Sequence, residues 1–185
     1  MDIADYCGLE GEMRNLIVII VISLISLSQL LWADDLAKDA VTVPNPSFEI
    51  LDSSASLPSS WHWGVSGGSD SSCVIDKEVF HSGRQSVRIS CRSAYAPFVF
   101  ASINSDEIKV KPSTTYYIEF YAKGRGARKC SVGISYGAVG DDITYLREGD
   151  FDWTKVSVRF TTPPNINAMH VRFTVEDVTD AIWID

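Results

Sequence analysis

Carboxylates at widely separated points carry the chemistry this sequence could perform. Glu49 follows Asn45-Pro46-Ser47-Phe48, and Asp185 follows Ile182-Trp183-Ile184. Between them, His81-Ser82-Gly83-Arg84-Gln85-Ser86 reads as a glycine turn. Acids so distant in sequence meet only if the chain closes into a compact sandwich that brings residues 49 and 185 beside that turn. A further stretch, Glu148-Gly149-Asp150-Phe151-Asp152, sets three carboxylates at alternating positions. Retaining glycoside hydrolysis needs two carboxyl groups about 5–5.5 Å apart across the bond, so Glu148, Asp150 and Asp152 form the catalytic alternative. Gly149 weakens a strand there, and an acidic turn ahead of a strand explains the same residues without catalysis. No Gly-x-Ser-x-Gly nucleophile elbow occurs, and His62, His81 and His170 lack metal-ligand spacing.

A second kind of chemistry is recognition by rings and planar polar groups. A pyranose rests its C–H face on an aromatic ring while its hydroxyls seek polar groups at the edge. Tyr121, Glu119, Arg172 and His170 supply such a set if their strands share one sheet, with Tyr117, Tyr136 and Tyr145 flanking it. Trp63, in a glycine-rich stretch, is a further candidate. Ordinary solvated strand residues would look the same.

The elements that must position these groups are strands. Period-two alternation runs through 72–79, 86–91, 98–103, 107–110, 115–123, 129–136, 143–147, 154–161, 168–176 and 181–185. Val41 to Ile50 is expected to add another, broken by Pro44 and Pro46. Turn formers such as Gly124-Arg125-Gly126 and Pro163-Pro164-Asn165 separate the runs. In 115–123, Tyr116, Ile118, Phe120 and Ala122 share the inward side; Tyr117, Glu119, Tyr121 and Lys123 share the outward one. Many short strands with regular turns predict an all-β fold, a two-sheet antiparallel β-sandwich or jelly roll.

Residues 16–31 form an apolar run after Met13-Arg14-Asn15 and before Ala33. That arrangement predicts a signal helix over 13–33 with cleavage after it, hence a secreted or cell-surface protein. Residues 1–12, acidic and without a base, fit poorly as its start, and 34–40 read as a linker. Uncleaved, the run would be a membrane anchor, since about 20 residues span a bilayer. Residues 34–185 carry 15 Lys and Arg against 20 Asp and Glu. No basic cluster marks a nucleic-acid partner. Cys73 and Cys91 each lie nine residues from Ser82, so a hairpin about that turn would set them opposite each other as a disulfide candidate; two buried thiols are the alternative, and Cys130 stays unpaired.

The ordered set Asn45-Pro-x-Phe-Glu49, Pro58-x-x-Trp61, His81-Ser-Gly-x-x-Ser86, Ile108-x-Val-Lys-Pro112, Tyr116-x-Ile-x-Phe-x-Ala-Lys123, Trp153-x-x-Val-x-Val-x-Phe160 and Ile182-x-Ile-Asp185 resembles the carbohydrate-binding modules of the family 4/9/22 type. The likeness covers nearly all of residues 41–185. It departs at the end, where the family continues with a second Asp, so the last strand looks truncated. The resemblance implies non-catalytic binding of polysaccharide of the β-glucan or xylan class. It also implies a covalently linked glycoside hydrolase domain, and structural roles for Trp61, Trp153 and Trp183. It further implies a structural calcium held by Glu49, Gly83 and Asp185, a set of hard oxygens that suits that ion. A non-sugar extracellular adhesion domain would be a third use of the same sandwich.

Overall fold

The computed structural model describes residues 42–54 and 56–185, and there the protein is built of strands with one 3-10 turn at Gly137–Val139. The extension over 1–12, the signal helix over 13–33 and the linker over 34–40 lie outside the described residues. Eleven strands follow in order: β1 Trp61–Ser66, β2 Ser71–Asp76, β3 Ser86–Cys91, β4 Phe100–Ser105, β5 Ile108–Lys109, β6 Thr115–Ala127, β7 Cys130–Ser135, β8 Asp141–Tyr145, β9 Gly149–Thr161, β10 Ala168–Val175 and β11 Thr179–Ile184.

They form two antiparallel sheets, as the alternation predicted. One is six-stranded, ordered β1-β4-β10-β7-β8 with β5 beside β10; the other runs β2-β3-β11-β6-β9. Their inward sides bury Ile103, Val171, Phe173, Val132 and Ile134 from the first sheet and Val87, Ile89, Ile182, Ile184 and Phe120 from the second, Phe120 as alternation in 115–123 assigned it. Removing such side chains from water is worth about 1.5–3 kcal/mol each. An aromatic chain ties the sheets together. Phe48 meets Trp61 at 5.0 Å, Trp61 stacks on Phe173 at 5.9 Å, and Phe173 meets Phe120 edge-on at 5.0 Å.

Three expectations are corrected. Residues 42–50 form turns rather than a strand, because Asn45 and Phe48 both adopt positive φ and the Asn45 side chain bonds Ile50 N–H, Ile50 O and Ser59 O. Residues 61–66, not expected as a strand, form β1: Trp61 and Trp63 pack on the core opposite Ser105 and Ile103 of β4, while Val65, opposite Ala101, stays exposed. Gly124 and Gly126 do not end β6. They accommodate register shifts within it, and pairing with β9 resumes at Ala127.

The cysteine register also differs. β2 pairs with β3 so that Cys73 faces Ile89 and Cys91 faces Ser71. The connection between them is centred one residue earlier than Ser82, which slides the pair two residues apart along the same face. Cys73, Cys91 and Cys130 are free thiols, and burial pushes the Cys73 thiol up to about 12.

Candidate functional site

The cross-strand register defines the outward face of the six-stranded sheet. One row reads His62, Asn104, Arg172, Gly133, Ile143; the next reads Gly64, Ser102, Thr174, Ser131, Tyr145. Small residues make the second row a shallow floor. Arg172 stands at the centre of the first, with every nitrogen held: Nε donates to Asn104 Oδ1 at 3.0 Å, one terminal nitrogen to Ser135 Oγ at 3.1 Å, and the other pairs with Asp141 at 2.9 Å. A planar guanidinium fixed this way presents its remaining N–H groups in a set direction. A cleft of ≈ 130 Å³ lies over this floor, lined by Phe100, Asp141, Ile143, Arg172, Thr174 and Glu176 among others.

Aromatic groups stand at the β8 edge and at the start of β4. Tyr145, on β8, donates weakly to the Glu176 carboxylate at 3.4 Å, and the Lys129 ammonium lies 4.1 Å from the centre of the Tyr95 ring and 5.9 Å from that of Tyr145. Just before β4, Ala96-Pro97-Phe98-Val99 forms a tight turn closed by Val99 N–H to Ala96 O at 3.1 Å. Phe98 there has φ +65° and is 84% exposed. A positive φ at this turn position normally calls for glycine, and Gly67 packs so closely against the Phe98 carbonyl that a Cβ on it would collide. An exposed aromatic ring leaves its face open for stacking. At the far edge His62 bonds Asp106 at 2.6 Å, and that bond, first among several, holds the Asp106 carboxyl below its ordinary range.

The expected sugar-binding set is divided by the fold. Arg172 and His170 lie on β10 in the six-stranded sheet, whereas Glu119 and Tyr121 lie on β6 in the other sheet, on the outward side. His170 turns its Nδ1 to Ser105 O at 2.9 Å. Trp63 faces inward and packs against the core. Tyr136 is buried, its hydroxyl donating to Asp142 at 2.8 Å, and burial with that carboxylate pushes the phenol upward. Glu119 pairs with Lys155 at 2.9 Å, and the Tyr121 ring is stacked under His81 at 3.6 Å. Sequence reasoning passed over Phe98, Phe100, Asn104, His62 and Asp141; the alternation of Phe100, Ser102 and Asn104 on β4 was the available signal.

The three acids of the catalytic alternative have local partners. Glu148 accepts from Lys129 N–H at 3.2 Å, Asp150 from Gly126 N–H at 2.7 Å, and Asp152 pairs with Lys123 at 2.8 Å. Trp153 sets its edge towards His81, 5.8 Å away.

The carboxylates of residues 49 and 185 both bond to the central turn. Asp185 accepts from His81 N–H at 2.7 Å, Ser82 N–H at 3.0 Å and Ser82 Oγ at 3.1 Å; Glu49 accepts from Arg84 N–H at 2.8 Å. Gly83, with φ +67°, leaves a cradle that a Cβ would fill against Glu49 Oε1. Among the described residues no three His, Cys, Asp or Glu side chains gather as a metal centre. The turn meets these carboxylates with three backbone N–H groups and the Ser82 hydroxyl, so the hard oxygens at this point are those of Glu49 and Asp185, of the type calcium takes.

A family model described as a carbohydrate binding domain matches residues 44–180. No curated protein matches the chain. Among solved structures, the enzymatically active domain of tailspike protein 4 from bacteriophage CBA120 is similar at TM-score 0.60 and 16% identity over 78% of this chain, which spans only 20% of that one. The module TmCBM61, solved with β-1,4-galactotriose, gives TM-score 0.56 and 18% identity, covering 79% of this chain and 94% of that. A xylan-binding family 22 module from Paenibacillus barcinonensis gives 0.50 and 14%, covering 80% and 91%. At these identities the likeness is one of fold.

Proposed function

Because the chain belongs to the carbohydrate-binding domain family of the 4/9 type, we propose that it holds a neutral β-linked polysaccharide across the outward face of the six-stranded sheet. The observation that carries this is Phe98, an exposed ring in a backbone conformation that costs energy, carried by the turn that leads into β4 and the Phe100 end of a polar floor whose other edge holds Tyr145. β4 and β8 are three inter-strand steps apart, about 14 Å, so a glycan running from the Phe98 end of β4 to Tyr145 crosses the Phe100 and Thr174 rows, with Arg172 and Asn104 in the next row beyond. Arg172 is balanced by Asp141, and Lys129 stands near Glu176 through Tyr145. That balance favours hydroxyls, which both donate and accept, over a charged chain.

The glycan belongs to the β-glucan or xylan class. What supports this reading is the family and one fold neighbour described as a xylan-binding domain, while another, solved with β-1,4-galactotriose, keeps galactan among the polymers to test. The domain does no chemistry of its own; exported to the cell exterior behind the apolar leader at 13–33, it serves to keep a linked glycoside hydrolase on its substrate. Glu49, Asp185 and the Gly83 turn hold a structural calcium, which would neutralise two carboxylates and tie residues 49, 83 and 185 together.

Affinity electrophoresis in xylan, β-glucan, mannan, galactan and cellulose derivatives tests the binding. At least one polymer retards the wild-type protein, and Phe98→Ala or Arg172→Gln reduces affinity tenfold or more, about 1.4 kcal/mol. Unretarded migration in every polymer, or retardation indifferent to both substitutions, overturns the assignment.

A further inference from the structure

The outward face of the five-stranded sheet carries a second cleft, broader and shallower at ≈ 510 Å³, against the more enclosed ≈ 130 Å³ beside Phe100. Its origin is a deliberate irregularity of the ladder. Between Ala122 and Ala127 the register of β6 against β9 shifts twice, and Gly124 makes room for the Phe151 ring, which a Cβ at 124 would strike. Bulges of this kind concentrate beside binding sites, where they re-aim side chains.

The floor is Trp183 and Phe151; the walls are Lys123 and Arg125 from β6, and Asp150 and Asp152 from β9. Trp183 is buried, only 4% exposed, its indole N–H donating to Asp76 at 2.9 Å and its ring lying 5.6 Å from the Arg125 guanidinium. Lys123 pairs with Asp152 at 2.8 Å, and Asp150 Oδ1 accepts from Gly126 N–H at 2.7 Å. Arg125 makes no ion pair shown among the described residues. Two cations face two carboxylates, so neither an anionic nor a cationic ligand gains by entering. A ligand that presents donors and acceptors together does gain, since ammonium and guanidinium only donate and carboxylates only accept. Along the same strands the rings of Tyr121 and His81 stack at 3.6 Å, with Trp153 edge-on to His81.

We propose that this cleft is a second glycan site, taking a short neutral oligosaccharide or a chain end on the side of the sandwich away from Phe98. The inference rests on the reading of the domain as a glycan binder and extends it: one domain then engages two chains, or two parts of one chain, at once. Bivalent engagement raises avidity without any new contact at the first site.

Amide NMR titration with β-1,4-linked gluco-, xylo- and galacto-oligosaccharides separates the possibilities. The proposal expects shifts at residues 123–126, at 150–152 and at the Trp183 indole N–H. Those shifts persist in Phe98→Ala and weaken about tenfold in apparent affinity in Asp150→Asn and in Arg125→Gln, two variants whose unbound spectra report whether the fold is intact. Shifts confined to the Phe98 face overturn the second site and leave the first. Shifts on the second face that vanish in Phe98→Ala overturn it as well, since they are then relayed from the first. Response on the second face alone supports the inference and overturns the placement of the first site. No response on either face removes the glycan reading and the inference together.

Discussion

Phe98 shows how a single residue can display function in its backbone. A non-glycine residue in the left-handed region gives up about 1–2 kcal/mol, and the ring gains nothing from burial in return. Replacing it by glycine relieves the strain, offset in part by the entropy of a freer unfolded chain. Phe98→Gly is therefore expected to raise unfolding free energy by about 0.5–1 kcal/mol while weakening polysaccharide binding at least tenfold; urea unfolding and affinity electrophoresis measure the two sides. Asp177 acts in the opposite sense, as pure structure. Val178 N–H at 2.8 Å, Tyr95 N–H at 3.1 Å and Arg128 at 3.4 Å hold its carboxyl below the ordinary range, the Val178 bond first. A depressed folded pKa contributes stability that is full above the unfolded value, about 3.9, and is lost as pH falls through the folded one. Asp177→Asn should thus flatten the acid limb of the stability curve below about pH 4, and an unchanged limb by thermal unfolding at graded pH would remove Asp177 from that role. Neither residue was legible from the sequence: Phe98 reads as the start of a strand, and nothing marks Asp177 as a cap for a loop more than eighty residues away.

At the level of elements, alternation worked where a strand has one wet face and one dry face. Residues 86–91 coincide with β3, and the inward set of residues 116–122 is the inward set of β6. It was silent about which strands share a sheet, because period two assigns a face and not a neighbour. That is why Glu119 and Tyr121 were grouped with Arg172 and His170, which the chain places on the other sheet. It also took Gly124 and Gly126 for a turn, since a bulge and a turn draw on the same residue type. The bulge has a measurable consequence. Adding a methyl at Gly124 drives it into the Phe151 ring, and overpacking of this kind costs about 1–3 kcal/mol. Gly124→Ala is expected to lower the urea midpoint accordingly and to shift the Trp183 indole N–H resonance. Gly64→Ala, at a site with open space around it, serves as the control that leaves both unchanged.

Over the whole molecule, the bonding of Glu49 and Asp185 to the 81–84 turn converts a linear sequence into a closed body. The turn's amides supply the donors for both carboxylates, while the Asn45 clamp and the Trp61 indole, which bonds Pro44 O at 3.1 Å, hold the segment carrying Glu49 in place. Amide donors satisfy only part of the acceptor capacity of two carboxylates, which is the physical case for a hard cation at the same point. A ligand that binds only the folded state stabilises by RT ln(1 + [L]/Kd), about 2.7 kcal/mol at a hundredfold excess over Kd. Calcium at millimolar concentration should therefore raise the melting temperature of protein first stripped with chelator, by several degrees for a domain of this size. Glu49→Gln should abolish most of that rise while leaving the Arg84 N–H an acceptor, so the variant still folds. Magnesium, which demands a tighter octahedral shell, should reproduce little of the effect. A melting temperature indifferent to chelator and to added calcium would mean that the amides alone close the sandwich, and that the two acids serve the fold without an ion.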